Sequence, residues 1–249
     1  DLFLEGLPEP YKSESKRLIR EGIPHVDRFL AVSRYYANFM SGYLGIPPEK
    51  TRIVPLGISF DDCDATPKPT RDALKIGFFA RIDPAKGFHH LCEAYRVLRQ
   101  KPGLPPLRLE AAGYMLPEHR AYFEAEVDKL KDAGLAAEFL YHGALSREEK
   151  INFLQQIDLL CVPTDYVEPK GLFVLEALAA GVPVVQPDHG AFPEVVAETQ
   201  GGLLHRPSDP QHLAEQMYEL LTNDELRLQL AAQGRAVTLA ARNAETMAR

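Results

Sequence analysis

The sequence predicts an α/β protein: a Rossmann-like doubly wound parallel sheet with part of a second domain ahead of it. Two observations predict this. From residue 74 onward, short strand-like runs alternate regularly with helical patterns, the signature of parallel βαβ units. Ahead of that region, Asp61 to Lys75 is rich in Asp, Pro and Thr, the composition of a linker. The 249 residues are 45% hydrophobic and 25% charged, enough for one large domain or one and a half.

Taken in order, residues 1–22 are mixed. Pro8 and Pro10 mark a loop, and the charged stretch Ser13 to Arg20 suits a short helix. Residues 27–58 form one strand–helix–strand unit. Phe29–Val32 is apolar, Ser33 is an N-cap, Tyr35, Phe39 and Tyr43 recur at helical spacing, Gly45 stops the helix, and Ile53–Gly57 is extended again. Strands are expected at Lys75–Ala80, Leu107–Ala112, Glu138–His142, Leu159–Val162, Pro183–Gln186 and Gly202–Leu204. Helices are marked by Phe88, Leu91, Cys92, Tyr95 and Leu98, by Phe123, Val127 and Leu130, by Ser146 as N-cap of a helix from Arg147, and by Leu213, Met217 and Leu220. Asp224 to Arg249 is one or two helices rich in Ala, Leu and Arg. The expected organisation is therefore 1–60 as the end of a first domain, 61–74 as linker, 75–222 as a ligand-binding domain and 223–249 as a helical tail.

The net charge of −7 argues against nucleic acid as the partner. It leaves room for a nucleotide, which needs only a local pair of cations. Cys63, Cys92 and Cys161 have no short spacing, so structural zinc and a disulfide framework are not expected and a reducing cytoplasm fits. No run of about 18 apolar residues exists to span a membrane. The chain opens Asp1-Leu2-Phe3 without methionine or signal peptide, and reads as a piece of a longer protein.

The chemistry concentrates in Glu168-Pro169-Lys170-Gly171-Leu172-Phe173-Val174-Leu175-Glu176. Pro169 and Gly171 put Glu168 in a loop in front of a helix, with Glu176 about one turn inside it. The N–H groups of Gly171 and Leu172 are then free for an anion, helped by the helix dipole. A phosphate held there between two hydroxyl-binding carboxylates describes a nucleotide-sugar site. Upstream, Arg81-Ile82-Asp83-Pro84-Ala85-Lys86-Gly87 follows a strand directly. Such a loop presents a forked guanidinium and a point charge to a diphosphate, whose negative charge grows as it leaves. Gly143, in Tyr141-His142-Gly143-Ala144-Leu145-Ser146, and Gly113, in Ala112-Gly113-Tyr114, lie in similar strand-to-helix loops, where glycine allows a ligand close to the backbone.

Glu168, seven residues, Glu176, then the small-residue helix Ala177-Leu178-Ala179-Ala180 and Gly181-Val182-Pro183-Val184-Val185 resemble the donor-binding signature of retaining GT-B glycosyltransferases, glycosyl transferase group 1 (family 4). The Arg81-x4-Lys86-Gly87 spacing matches the same family. Lys170 departs from the large apolar residue usual at its position. The resemblance covers about Asp27 to Arg249: the end of the N-terminal acceptor domain and nearly all of the donor domain.

The resemblance implies retaining, metal-independent glycosyl transfer from a nucleotide-diphosphate sugar to an unknown acceptor, with no cofactor. It implies roles for Glu168 on the sugar hydroxyls, Arg81 and Lys86 on the diphosphate, Glu176 on the ribose, and Gly171, Leu172, Gly143 and Gly113 in donor binding. It also implies a cytoplasmic enzyme of polysaccharide or glycolipid synthesis, peripheral at the inner membrane in full-length form. The general base falls to the missing domain, so the chain alone is expected to transfer little or nothing. Lost strands would expose sheet edges, which predicts that the helix at 34–44 and the segment 53–58 pack on the donor domain or self-associate.

A sugar-nucleotide epimerase of the same architecture and a non-catalytic nucleotide-binding module are the alternatives. No Gly-x-Gly-x-x-Gly follows the strand at 75–80, and no nucleophile-elbow pattern occurs. The Asp-x-Asp letters in Asp61-Asp62-Cys63-Asp64 fall in the linker. His89 and His90 are adjacent on a helix, about 100° apart, and are expected at the surface without a shared metal. His25, His119, His189, His205 and His212 show no metal-ligand spacing.

Overall fold

The computed structural model describes residues 2–59 and 72–248. It divides into two compact units, residues 1–56 and 57–249. Most of the expected linker, including the Asp61-to-Asp64 run, lies outside the described residues.

In the first unit, α1 (Leu2–Glu5) and α2 (Tyr11–Gly22) precede β1 (Phe29–Ala31), α3 (Arg34–Leu44) and β2 (Thr51–Ile53). The charged helix thus starts two residues earlier than its charges suggest, directly after Pro10. β1 and β2 pair in parallel, Phe29 opposite Thr51, so α3 is the crossover of a βαβ unit. Its ends are set as the sequence requires. Ser33 Oγ accepts the Tyr36 N–H at 3.1 Å, and Gly45 closes the helix in a left-handed conformation at φ 76°. Ile23, Leu44 and Ile46 form the small core, with Phe29, Met40 and Tyr43 against it.

The second unit runs β3 (Leu74–Phe79), α4 (Phe88–Leu98), β4 (Leu107–Ala112), α5 (Arg120–Asp132), β5 (Phe139–Tyr141), α6 (Arg147–Gln156), β6 (Leu159–Cys161), α7 (Leu172–Ala179), β7 (Val184–Pro187), α8 (Phe192–Thr199), β8 (Gly202–His205), α9 (Pro210–Thr222), α10 (Asp224–Ala241) and α11 (Ala244–Ala248). The six strands are all parallel, in the order β5-β4-β3-β6-β7-β8. The winding direction reverses between β3 and β6, which makes this gap the topological switch point.

Alternation along the strands builds a core on each face. Ile76, Phe78, Leu159, Cys161 and Val185 join α4, α5 and α9 in one core. Leu160 and Val184 join α6, α7 and α8 in the other. Phe88, Leu91, Cys92, Tyr95 and Leu98 of α4 are all fully buried, as the periodicity predicts. The short helix α8 is an addition to the sequence reading, placed between two expected strands.

The segment expected as a separate tail is integral to this unit. α10 packs on α7 and α8, with Arg235 donating to the Ala179 carbonyl and Arg242 paired with Glu198. The packing is backbone-tight: a Cβ at Gly234 would lie 2.7 Å from the Gly201 Cα and 2.7 Å from Leu178 Cδ2. Gly234→Ala is therefore expected to cost about 1–3 kcal/mol by overpacking, read as a lower urea midpoint. An unchanged midpoint would mean that α10 docks loosely.

Candidate donor site

The site is built by loops leaving the carboxyl ends of β3, β4, β5 and β6. The β3 loop carries Arg81 and Lys86, and the β6 loop carries Glu168 and leads into α7. These two loops flank the switch point, where open α/β sheets bind ligands. Asp83 Oδ1 accepts the Ala85 N–H at 2.9 Å and caps a short 3-10 turn, Pro84–Lys86. The following Gly87 is left-handed at φ 73°, and a Cβ there would sit 1.9 Å from the Pro163 carbonyl oxygen. Only glycine lets the two loops pass this closely.

Further bonds lock them. The Ala85 carbonyl accepts from Thr164 Oγ1 at 2.7 Å and from the Tyr166 N–H at 3.1 Å. Thr164 is 2% exposed, so its hydroxyl is committed to the fold. On the far side, a Cβ at Gly190 would lie 2.5 Å from the Glu168 carbonyl oxygen, which accepts the Ala191 N–H at 2.9 Å. His189 Nε2 bonds the Thr164 carbonyl at 2.9 Å.

In this setting Lys86 Nζ donates to Glu168 Oε2 at 2.8 Å. Both side chains are largely buried, 14% and 11% exposed. Two residues separated by 82 positions, predicted separately, meet as one ion pair. Glu168 Oε1 accepts the Lys170 N–H at 3.3 Å. The Lys86 ammonium also lies 5.1 Å from the Tyr166 ring centroid, within cation–π range. Arg81 is by contrast 60% exposed, with Asp83 at 3.4 Å.

Gly171 is the left-handed N-cap of α7, at φ 65°. No side chain caps the helix, so its first N–H groups, from Gly171 and Leu172 on, have no partner within it. Glu176 lies one turn in, where its carboxylate accepts from Lys150 Nζ of α6 at 2.7 Å. Lys150 carries no signal in the sequence beyond its place in the helix expected from Arg147. Its helix begins with a full capping box, Ser146 and Glu149 each bonding the other's backbone N–H.

The β4 and β5 loops complete the rim. Gly113 is at φ 144°, and a Cβ there would lie 1.8 Å from the Ala80 carbonyl oxygen. The neighbouring backbone by itself demands a glycine at 113. Gly113 also donates its N–H to the Gly143 carbonyl at 2.8 Å. Gly143, at φ 74°, has open space where a Cβ would be. Behind the rim, the buried Glu110 carboxylate takes Lys75 Nζ at 2.7 Å and His142 Nε2 at 2.8 Å. Burial pushes its pKa up, but those two bonds outweigh it and hold the carboxyl below its ordinary value.

A correction concerns His89 and His90. Their rings are not splayed: the centroids lie 4.0 Å apart and both Nε2 atoms face Asp165 of the β6 loop. Side-chain torsions close the angle that adjacent helical positions open, and the tertiary approach of Asp165 was not visible in the sequence.

Residues 64–237 match the family model for glycosyl transferases group 1. The chain belongs to this family. Residues 2–62 match glycosyltransferase family 4. D-inositol 3-phosphate glycosyltransferase of Segniliparus rotundus is 30% identical over 242 residues, covering 92% of this chain and 51% of that protein. MMP alpha-(1->4)-mannosyltransferase of Mycolicibacterium hassiacum is 28% identical, covering 88% and 50%. The group 1 chain thus spans about half the length of these relatives. Among solved structures, Anabaena HepE in complex with UDP aligns with a TM-score of 0.84 at 20% identity, over 97% of this chain and 67% of that one. Sucrose-phosphate synthase from Thermosynechococcus elongatus aligns at 0.80 and 21%, over 95% and 59%. At these identities the likeness establishes the fold, a GT-B glycosyltransferase architecture.

The ion pair yields a stability prediction. Lys86→Met strands the Glu168 carboxylate in a largely dry setting and is expected to cost about 2–4 kcal/mol. Adding Glu168→Gln should recover at least about half of that loss, because the two sites are coupled. Additive losses in urea unfolding would show that the pair contributes nothing as a pair.

Proposed function

We propose that this chain is the donor-binding half of a retaining, metal-independent glycosyltransferase that uses a nucleoside-diphosphate sugar. The observation that carries the reading is the Lys86–Glu168 ion pair at the switch point, beside the uncapped N-terminus of α7. A diphosphate there takes the N–H groups of Gly171 and Leu172, favoured by the helix dipole. Lys86 then turns from the carboxylate to the phosphate oxygens, with Arg81 reaching in from the rim. Glu168, released, accepts hydrogen bonds from the sugar hydroxyls. Glu176 accepts from the ribose diol, with Lys150 steadying its carboxylate. The Gly113 and Gly143 loops receive the base.

In the reaction, the bond from the anomeric carbon to the β-phosphate oxygen breaks and a bond to the acceptor oxygen forms. The nucleoside diphosphate leaves with growing negative charge. Lys86, Arg81 and the α7 dipole stabilise that charge more in the transition state than in the ground state. Glu168 opposes the positive charge that develops on the sugar.

By their names, the relatives given above are a D-inositol 3-phosphate glycosyltransferase and an alpha-(1->4)-mannosyltransferase, which supports an acceptor from polysaccharide or glycolipid synthesis. Because the chain spans half of such proteins, acceptor contacts and the general base are assigned to the other half, and the chain alone binds donor and transfers little. Its place in group 1 favours transfer over epimerisation.

Calorimetric titration with UDP, GDP, ADP and their sugar forms tests this. One nucleotide should be preferred, and Glu176→Ala and Lys86→Ala should each weaken it about tenfold or more, about 1.4 kcal/mol. Tight binding that neither substitution disturbs would overturn the proposed site.

A further inference from the structure

Behind the donor loops, three side chains with metal-binding atoms converge. His89 and His90 open α4, immediately after Lys86-Gly87, and Asp165 sits in the β6 loop ahead of Glu168. Their Nε2 and carboxylate oxygen atoms all lie within 4.8 Å of one another. His90 Nε2 is 2.9 Å from Asp165 Oδ1, and His89 Nε2 is 3.6 Å from Asp165 Oδ2. Among the described residues this is the one His/Cys/Asp/Glu group close enough to share an ion.

The hydrogen bonding around His89 leaves a place for a cation. Its Nδ1 meets the Tyr122 hydroxyl at 2.8 Å, and that oxygen also accepts the His89 backbone N–H at 3.0 Å. If Nδ1 carries the proton, the Nε2 lone pair faces a carboxylate, acceptor against acceptor. If Nε2 carries it, 3.6 Å is too long for a hydrogen bond. In both tautomers His89 Nε2 and Asp165 Oδ2 face each other without a bond, and an ion between them satisfies both.

We infer that His89, His90 and Asp165 form a site for a zinc-like divalent transition metal that fastens the two donor loops together. Two imidazoles and a carboxylate suit Zn²⁺ and its borderline neighbours rather than Mg²⁺ or Ca²⁺. Bonds of about 2.0–2.1 Å in a tetrahedron place ligand atoms about 3.3 Å apart, close to the 2.9 and 3.6 Å found here. Supporting groups are also in place. Tyr122 orients His89, and Ser208 Oγ donates to Asp165 Oδ1 at 2.9 Å, the outer bonds that ligating histidines and carboxylates carry. The side chains are 31%, 15% and 40% exposed for His89, His90 and Asp165, so the site opens to water on one side and exchanges its ion. The ion takes no part in glycosyl transfer; it ties the start of α4 to the loop that carries Glu168.

The full 249-residue chain, stripped with EDTA, is titrated with Zn²⁺ and separately with Co²⁺. One Zn²⁺ per chain should bind, the melting temperature should rise with Zn²⁺ concentration, and Co²⁺ should give the intense visible bands of a four-coordinate site. Asp165→Asn and His90→Gln should each weaken Zn²⁺ by at least about 100-fold, and Tyr122→Phe by about 10-fold. His25→Gln, in the other unit, should change nothing. Metal-free melting of each variant reports whether it folds. Asp165→Asn keeps an acceptor for Ser208, so it remains readable if His90→Gln does not fold. Zn²⁺ binding that is weak, exceeds one ion per chain, or survives Asp165→Asn in the folded protein would overturn the inference.

Discussion

The candidate site depends on one close passage of backbone. Gly87, ending the β3 loop, runs against the Pro163 carbonyl of the β6 loop with no room for a side chain. The Ala85 carbonyl, two residues earlier, then takes both a buried hydroxyl and a backbone N–H from the other loop. A parallel sheet that reverses its winding leaves a gap between the loops of its two central strands. Here those loops are held at backbone-contact distance. Lys86 and Glu168 therefore meet because their backbones are fixed, and their attraction need not supply the ordering entropy of two free loops.

That arrangement explains why charges can be nearly buried without a ligand. An ammonium and a carboxylate removed from water each carry a desolvation cost of several kcal/mol. Pairing Lys86 with Glu168 and Lys150 with Glu176 offsets it. In both pairs, the acid assigned to a donor hydroxyl is held by a lysine. On the function proposed here, an incoming nucleotide sugar would have to compete with these contacts, its diphosphate drawing Lys86 away. Binding energy would then be partly used to separate a preformed pair, which would favour ligands carrying both the anion and the hydroxyls over those carrying one.

The strands were legible because each is a short apolar run between turn residues. The caps at Ser33 and Ser146 were legible because capping is local in sequence. The two glutamates and Arg81-x4-Lys86-Gly87 were legible through spacing and family resemblance. What escaped was set by tertiary approach. α8 is eight residues with Pro193 in its first turn, too short for a helical period to show between two strands. The Lys86–Glu168 and Lys150–Glu176 pairs join residues 82 and 26 positions apart, a relation no local pattern encodes. The same holds for Asp165 against His89 and His90, where the adjacency rule for helices pointed the wrong way.

Gly113 shows how one residue can answer to the scaffold and still shape a site. Its φ of 144° and its contact with Ala80 are imposed by the end of the neighbouring strand. Yet its N–H holds the Gly143 carbonyl and its own carbonyl takes the Tyr141 hydroxyl at 2.7 Å, so the β4 and β5 loops are tied to each other. Beneath them Glu110 binds Lys75 of β3 and His142 of the β5 loop, a buried carboxylate spanning three adjacent strands. Together these bonds fix the backbone of the β4 and β5 loops, and a rim that read a base through backbone groups, as proposed, would discriminate only as well as that backbone is held.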